Sequence, residues 1–285
     1  MAQTHPPLEV LVIDDGSTDD SAAIAAAFGP PVRLIRQVNQ GESVARNRGI
    51  DEAAGEWVAF LDADDIWAPS KIERQLSVTA PDTCAVVSNI HFFGRDNYDA
   101  PRWTEPPEVK SSVEYICDLN AFLPSTLMIR ATIAARFPVW TRYAEDYVFT
   151  LEVCACGPVS FIDEPLTLYR LHATNQSGHP ASLVRQDETI ARWLQENAQR
   201  LGEPRVQAIR RRQMALLVER ARAARAARRW DAFDHISDYL RSFEGDESVA
   251  PFLRERQLPR WMYACIDTLD RIPLVRALRR DVTGR

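Results

Sequence analysis

The sequence predicts an α/β protein with a mostly parallel sheet, followed by an all-helical C-terminal region. Three observations carry that reading. Up to about residue 182, short apolar runs rich in Val, Ile and Phe alternate with helical stretches, the pattern of strands crossing over through helices. From residue 183 the chain reads as helix throughout, rich in Ala, Leu and Arg. The charge changes sign at the same point: residues 1–182 hold 13 Lys and Arg against 25 Asp and Glu, and residues 183–285 hold 21 against 15.

Leu8–Ile13 is an apolar run of strand length that ends in the turn sequence Asp14-Asp15-Gly16-Ser17. Ser17 and Asp20 have the spacing of a capping box, which starts a helix over about 19–28, and Gly29-Pro30-Pro31 stops it. Val32–Arg36 is a second strand. Glu42–Ala54 is a helix with Gly55 as its C-terminal cap. Glu56–Leu61 is a third strand and runs into Asp62-Ala63-Asp64-Asp65. Pro69 suits the first turn of a helix over 69–78. Ala85–Phe93 and Thr126–Arg130 read as strands, 94–122 as loop with a short helix, Glu145–Cys156 as helix, and Val159–Ile162 and Leu166–Leu171 as two short strands.

Composition narrows the function classes. The chain has 285 residues, 46% hydrophobic and 26% charged, which is a globular profile. A net charge of −6 argues against a dedicated nucleic-acid binder. No apolar run approaches the ~18 residues of a membrane span, and no basic, apolar leader opens the sequence, so a cytoplasmic protein is expected. Five scattered cysteines with no Cys-x-x-Cys pair point to neither a disulfide framework nor a structural zinc site.

In α/β sheets, ligands bind beyond the carboxyl ends of strands. Two acidic clusters are expected there, Asp14-Asp15 and Asp62–Asp65. Carboxylates gathered on one sheet edge repel one another, and a divalent cation or donor groups of a ligand relieve that repulsion. Oxygen ligands suit Mg2+ or Mn2+, the partners of phosphates. On an extended backbone Asp62 and Asp64 point the same way and can share one ligand complex. Each cluster taken alone also fits a plain turn or helix cap.

The segments Val12-Ile13-Asp14-Asp15-Gly16-Ser17-Thr18-Asp19-Asp20-Ser21, Asn39-Gln40-Gly41 with Ala45-Arg46-Asn47-Arg48-Gly49, and Gly55-Glu56-Trp57-Val58-Ala59-Phe60-Leu61-Asp62-Ala63-Asp64-Asp65 resemble the nucleotide-sugar half of family-2 glycosyltransferases, which have the GT-A fold. Ala144-Glu145-Asp146-Tyr147, Asp163-Glu164-Pro165-Leu166 and Tyr169-Arg170-Leu171-His172 resemble the acceptor half. The resemblance covers about residues 1–178. It implies a GT-A-like domain over 1–182, with a nucleotide-sugar half (1–80) and an acceptor half (81–182), ahead of a helical extension over 183–285.

The resemblance also implies roles. Asp15 accepts a hydrogen bond from the nucleobase with Asp14 beside it, Arg46 lies in the segment approaching the nucleotide, and Asp62 meets the ribose or sugar. Asp64 binds Mn2+ or Mg2+ bridging the diphosphate, and His172 matches a histidine that contacts the metal or diphosphate in some relatives. Asp146 is the general base and Glu145 orients the acceptor. The implied reaction is inverting transfer from a nucleoside-diphosphate sugar, UDP by default, to a glycan or lipid-linked hydroxyl in polysaccharide or envelope biosynthesis. Glu145 and Asp146 also suit the first turn of a helix as dipole partners, and Arg46 and His172 also suit structural roles.

Members of the family normally open with a strand and helix that have no counterpart here, so a central strand is expected to be missing. Two other functions compete: a catalytically silent binding protein derived from such an enzyme, and a nucleotidyltransferase, which would want a Gly-rich phosphate loop near its start. In the tail, Met214, Leu217, Val218 and Ala221 form an apolar face, and the arginines among residues 208–229 are expected largely on the other face. That basic face is either simply solvated or a contact for anionic lipid at the inner membrane surface, with Trp261-Met262-Tyr263 and Arg254, Arg256 and Arg260 as a second candidate.

Overall fold

The computed structural model describes residues 2–94, 98–100, 122–172 and 180–256. The chain divides into two compact units, 1–175 and 176–285.

The first unit is α/β. Strand β1 (Val10–Asp14), helix α1 (Ser21–Ala27), strand β2 (Val32–Arg36) and helix α2 (Glu42–Glu52) come first, and β1 and β2 form a parallel pair. A six-stranded sheet follows, built from β3 (Trp57–Ala59), β4 (Ile66–Trp67), β5 (Ala85–Gly94), β6 (Tyr98–Ala100), β7 (Leu127–Arg130) and β8 (Val159–Leu171). Its order is β3-β7-β5-β8-β4, with β6 on β5. The long β5–β8 ladder is parallel, and the short strands β3, β7, β4 and β6 pair antiparallel. Among the described residues no strand joins β1–β2 to this sheet. Helix α3 (Lys71–Ser77) and helix α4 (Glu145–Cys156) complete the unit.

Val86, Val87 and Ile129 are completely buried, and Leu127 and Met128 nearly so, because β5 and β7 carry runs of β-branched and apolar residues at the centre of the sheet. An aromatic knot fixes α4: Phe137 stacks on Phe149 with ring centroids 3.8 Å apart, and Phe60 meets both edge-on.

Local differences from the sequence reading have local causes. Val159–Leu171 is one strand, because the ladder with β5 slips at Asn89 and skips Asp163 and Glu164, which the sequence presents as a break. Helix α2 ends at Ala53, whose backbone is extended, so Gly55 is not its cap. Ser17 makes no capping box; its N–H donates instead to Asp14 Oδ1 at 2.8 Å.

The second unit is helical: α5 (Pro180–Glu196), α6 (Ala198–Leu201), α7 (Glu203–Ala226), α8 (Trp230–Leu240) and α9 (Ala250–Arg256). Met214, Leu217, Val218 and Ala221 of α7 pack with Phe233, Ile236, Leu240 and Phe252. The expected basic face is only partly external. Arg211, Arg212, Arg220, Arg228 and Arg229 are exposed, but Arg225 is buried, Arg210 pairs with buried Asp187 at 2.9 Å, and Arg222 with Glu255 at 2.7 Å. Burial of the aliphatic stems within a helical core, with carboxylates to meet the heads, draws these arginines inward. Arg260 and Trp261-Met262-Tyr263 lie outside the described residues. Among the described residues no helix is long and apolar enough to cross a membrane.

Candidate functional site

The loop after β1 is organised by its own acids. Asp14 is buried; its Oδ2 accepts from Arg36 Nε at 2.8 Å. The Ser17 hydrogen bonds, with Arg36, hold its carboxyl below the ordinary range. Asp15 accepts from Gln37 Nε2 and from the N–H groups of Gln40 and Gly41 at 2.8–2.9 Å. Burial pushes the Asp15 carboxyl up, but these donors outweigh it and leave it lowered. A carboxylate has about four acceptor positions. Asp15 has spent three on the loop after β2, which leaves it charged, fixed and with room for one further donor. Gly16 makes the close approach possible: it has φ +83°, and a Cβ there would sit 3.0 Å from the Asn39 backbone nitrogen.

The second acidic cluster is a turn, closed by the Asp65 N–H on Asp62 O at 3.1 Å. It is not extended, so the expected alternation fails and its carboxylates part. Asp62 Oδ1 accepts from Arg46 at 3.0 Å, whereas Asp64 Oδ2 meets His172 Nε2 at 2.9 Å. Asp65 turns inward, where Oδ1 accepts the Arg170 N–H at 2.9 Å and Oδ2 has no hydrogen-bond partner among the described residues. Burial raises its pKa against the bonds from Ser125 and Arg170. Asp64 and His172 are brought together by the meeting of the Asp62–Asp65 turn with the end of β8. Both are substantially exposed, so an ion or ligand can reach them.

Beneath this turn lies a buried polar platform that the sequence reading missed. Ser125 Oγ accepts the Asp62 N–H at 3.0 Å, and Ser125 O accepts from Trp67 Nε1 and Thr167 Oγ1 at 2.8 and 2.9 Å. Lys71, completely buried, donates to Gln75 Oε1 at 2.6 Å and lies 4.7 Å from the Trp67 ring centroid. Gln75 donates on to Val86 O and Thr126 O. Burial lowers the Lys71 pKa to about 7. The one available signal was Lys71 and Gln75 at i,i+4 on a helix directly after the acidic turn, a spacing that reads equally well as a solvated face.

The third cluster is on α4. Glu145 Oε1 lies 3.4 Å from Arg46, and the Asp146 carboxylate accepts the Tyr147 N–H at 2.7 Å. Burial, then the neighbouring Asp146 charge, push the Glu145 pKa to about 7 against the pull of Arg46. Burial also raises Asp146, with Arg46 the main opposing influence. Arg46 is therefore the centre of the site: its guanidinium meets Asp62, Glu42 at 3.3 Å and Glu145, from three different parts of the chain.

The donor set suits a hard divalent ion only in part. Asp64 and His172 offer an oxygen and a nitrogen at one point, and no group of three or more ligating side chains occurs among the described residues. That fits an ion held by one or two side chains plus substrate phosphates, the usual manner of Mg2+ binding.

The sequence model of glycosyl transferase family 2 matches residues 1–137. The chain is 30% identical over 246 residues to the succinoglycan biosynthesis protein ExoO of Rhizobium meliloti, covering 77% of this chain and 70% of ExoO. It is 29% identical over 204 residues to an uncharacterized glycosyltransferase of Nostoc sp., covering 66% of this chain and 63% of that relative, so it spans less than two thirds of the Nostoc protein. Among the solved structures that share its fold are two with a bound nucleotide or nucleotide-sugar. One is S. aureus TarS 1-349 in complex with UDP, with a TM-score of 0.53 and 17% identity over 86% of this chain and 85% of that one. The other is the mannosyltransferase PcManGT of Pyrobaculum calidifontis in complex with GDP-Man and Mn2+, with a TM-score of 0.53 and 17% identity over 97% and 76%. The α/β unit with its helical C-terminal region is thus a GT-A-type fold, and the chain belongs to glycosyl transferase family 2.

Proposed function

We propose that the chain is a metal-dependent, inverting glycosyltransferase that moves a sugar from a nucleoside-diphosphate sugar, a UDP-sugar by preference, to a hydroxyl of a glycan or lipid-linked acceptor. One observation carries this reading. The acids of the two halves stand around a single guanidinium: Arg46 touches Asp62 on the donor side and Glu145, next to Asp146, on the other. In this assignment residues 1–80 hold the donor and 81–182 the acceptor. Asp15, with Asp14 bracing its loop, receives the nucleobase, and Asp62 the ribose or sugar. Glu145 orients the acceptor. The link to polysaccharide precursors rests on the ExoO relative, whose name places it in succinoglycan biosynthesis.

Asp64 and His172 would hold Mn2+ or Mg2+, which as a Lewis acid would offset charge on the departing diphosphate. Asp146 takes the proton from the acceptor hydroxyl as that oxygen bonds to the anomeric carbon and the bond from that carbon to the diphosphate oxygen breaks. A base acting opposite the leaving group gives inversion, and such a base contributes ~10²–10⁴-fold in rate. Burial raises the Asp146 pKa and so strengthens it as a base, and Arg46 is the main influence favouring its charged form.

The test is D146N: transfer should fall by ~10²-fold or more with nucleotide binding retained, and equal turnover would remove Asp146 from this role. For the metal, D64A should abolish Mn2+-dependent binding of the nucleoside diphosphate; unchanged binding would place the ion elsewhere.

The separation of the β1–β2 pair from the six-stranded sheet favours a second reading, a nucleotide-binding protein that does not transfer. Binding without turnover over a broad acceptor panel would select it. The exposed arginines of the helical unit offer a basic face to anionic lipid. Retention on phosphatidylglycerol vesicles but not on phosphatidylcholine vesicles is expected, and equal recovery from both would contradict it.

A further inference from the structure

The motif Ala45-Arg46-Asn47-Arg48-Gly49 belongs to the segment expected to approach the nucleotide, yet its Arg46 and Asn47 side chains reach the other half of the fold. Asn47 Nδ2 donates to Phe137 O at 2.8 Å, and the Phe137 N–H donates back to Asn47 Oδ1 at 2.8 Å. Both ends of one amide are thereby spent on one backbone residue 90 positions away. Beside it, the Arg46 guanidinium lies 5.3 Å from the centroid of the Phe137 ring, and that ring stacks on Phe149 of α4. The rest of the guanidinium is committed at its edges: one terminal nitrogen to Asp62 and Glu42, the other to Glu145. Only 17% of the Arg46 side chain is exposed.

We propose that Arg46 and Asn47 form a clamp that holds the Glu145–Asp146 end of α4 against the donor-side turn at Asp62. Arg46 is then a positioning residue for the transfer step, not a nucleotide contact. The clamp rests on the reading of Asp146 as the base. Helix α2 reaches α4 by two routes, through Phe137 to Phe149 and directly from Arg46 to Glu145, so a shift of α2 or of the Asp62 turn is passed to the base. Proximity makes this costly: a misplacement of ~1 Å costs about 10²-fold in rate. The charge acts alongside the geometry. Asp146 shares its surroundings with Glu42 of α2 and Asp62 of the turn and stands next to Glu145 of its own helix, all acidic, and Arg46 is the main cation that opposes them.

The experiment uses the full chain with R46Q and R46K and follows the Asp146 carboxyl by 13C NMR on labelled aspartate, its signal identified by loss in D146N. In R46Q the Asp146 titration should move up by roughly one pH unit or more, and in R46K it should stay near the wild type. Turnover of UDP-GlcNAc or GDP-mannose should fall about 10²-fold in R46Q, while the Kd of UDP or GDP with Mn2+ should hardly change. An unmoved Asp146 titration in R46Q, or a nucleotide Kd that rises in step with the loss of turnover, would overturn the clamp. If R46Q does not fold, R46K decides: reduced turnover at unchanged nucleotide Kd supports the clamp, and parallel loss of both overturns it. If D146N turns over donor as fast as the wild type, the base reading fails, and the clamp between α2 and α4 is then judged on the NMR titration alone.

Discussion

Replacing Glu145 with Gln should make the protein more stable at pH 8 and leave it nearly unchanged at pH 4.5. Glu145 has an ordinary pKa of 4.5, raised to about 7 by burial and by the Asp146 charge, and only 15% of its side chain is exposed. The folded protein therefore binds the Glu145 proton more tightly than the unfolded chain does. The stability this contributes is fully present below pH 4.5 and is lost as pH rises through about 7. A difference of about 2.5 pH units at 1.36 kcal/mol each is ~3 kcal/mol. Gln is nearly isosteric and carries no charge to desolvate, and Arg46 keeps Asp62 and Glu42 as partners. E145Q should therefore gain up to ~3 kcal/mol at pH 8, or roughly 6–12 °C in Tm for a unit of this size. The assay is thermal unfolding of both proteins at pH 4.5, 6, 7 and 8 in metal-free buffer. A Tm difference that grows with pH is expected. A difference that is flat with pH, or an E145Q protein less stable at pH 8, would show that Glu145 is not held protonated by its surroundings.

Other consequences follow from the same geometry. Lys71 runs in the opposite sense: its pKa falls from 10.5 to about 7, so the folded state resists the charge and stability rises with pH between those values. K71M removes that penalty, about 5 kcal/mol below pH 7, but strands Gln75 Oε1 at a cost of ~1–3 kcal/mol. The variant should melt above the wild type at pH 6 and below it at pH 10, and melting curves without that crossover would contradict the reading of Lys71. F137A removes the ring between Arg46 and Phe149 and should cost ~3–5 kcal/mol in chemical denaturation; a loss under ~1 kcal/mol would show that the aromatic knot does not fix α4.

The parts of the fold written in local pattern were legible. Val32–Arg36 and Glu145–Cys156 match the expected elements residue for residue; Pro30-Pro31 marks the start of the strand, and Gly157-Pro158 stops the helix. The α/β class and the helical C-terminal region were legible in the alternation of apolar runs and helical stretches, and the family in short motifs such as Asp14-Asp15-Gly16-Ser17 and Asp62-Ala63-Asp64-Asp65. The elements misread are those decided by tertiary partners. Asp163-Glu164-Pro165 looks like a break between strands, yet β5 carries the ladder past it through a bulge. Asp62 and Asp64 look like one ligand pair on an extended segment, but a turn sends one to Arg46 and the other to His172.

At the site, the sequence named the acids and left out what holds them. Ser125 stands 63 residues from the Asp62 N–H it receives, and Phe137 lies 90 residues from Asn47. No local spacing announces contacts of that separation. Buried Lys71 was hidden because lysine on a short helix is ordinarily a solvent-facing residue.

The central claim is that the acids after β1 and β3 form a metal-dependent site for a nucleoside diphosphate. Calorimetric titration of the full chain with UDP and with GDP, each with and without Mn2+, tests it most directly. One of the two nucleotides, UDP by preference, is expected to bind in Mn2+ and to lose most of its affinity without the metal. Absence of binding of either nucleotide to a chain shown to be folded would contradict the claim.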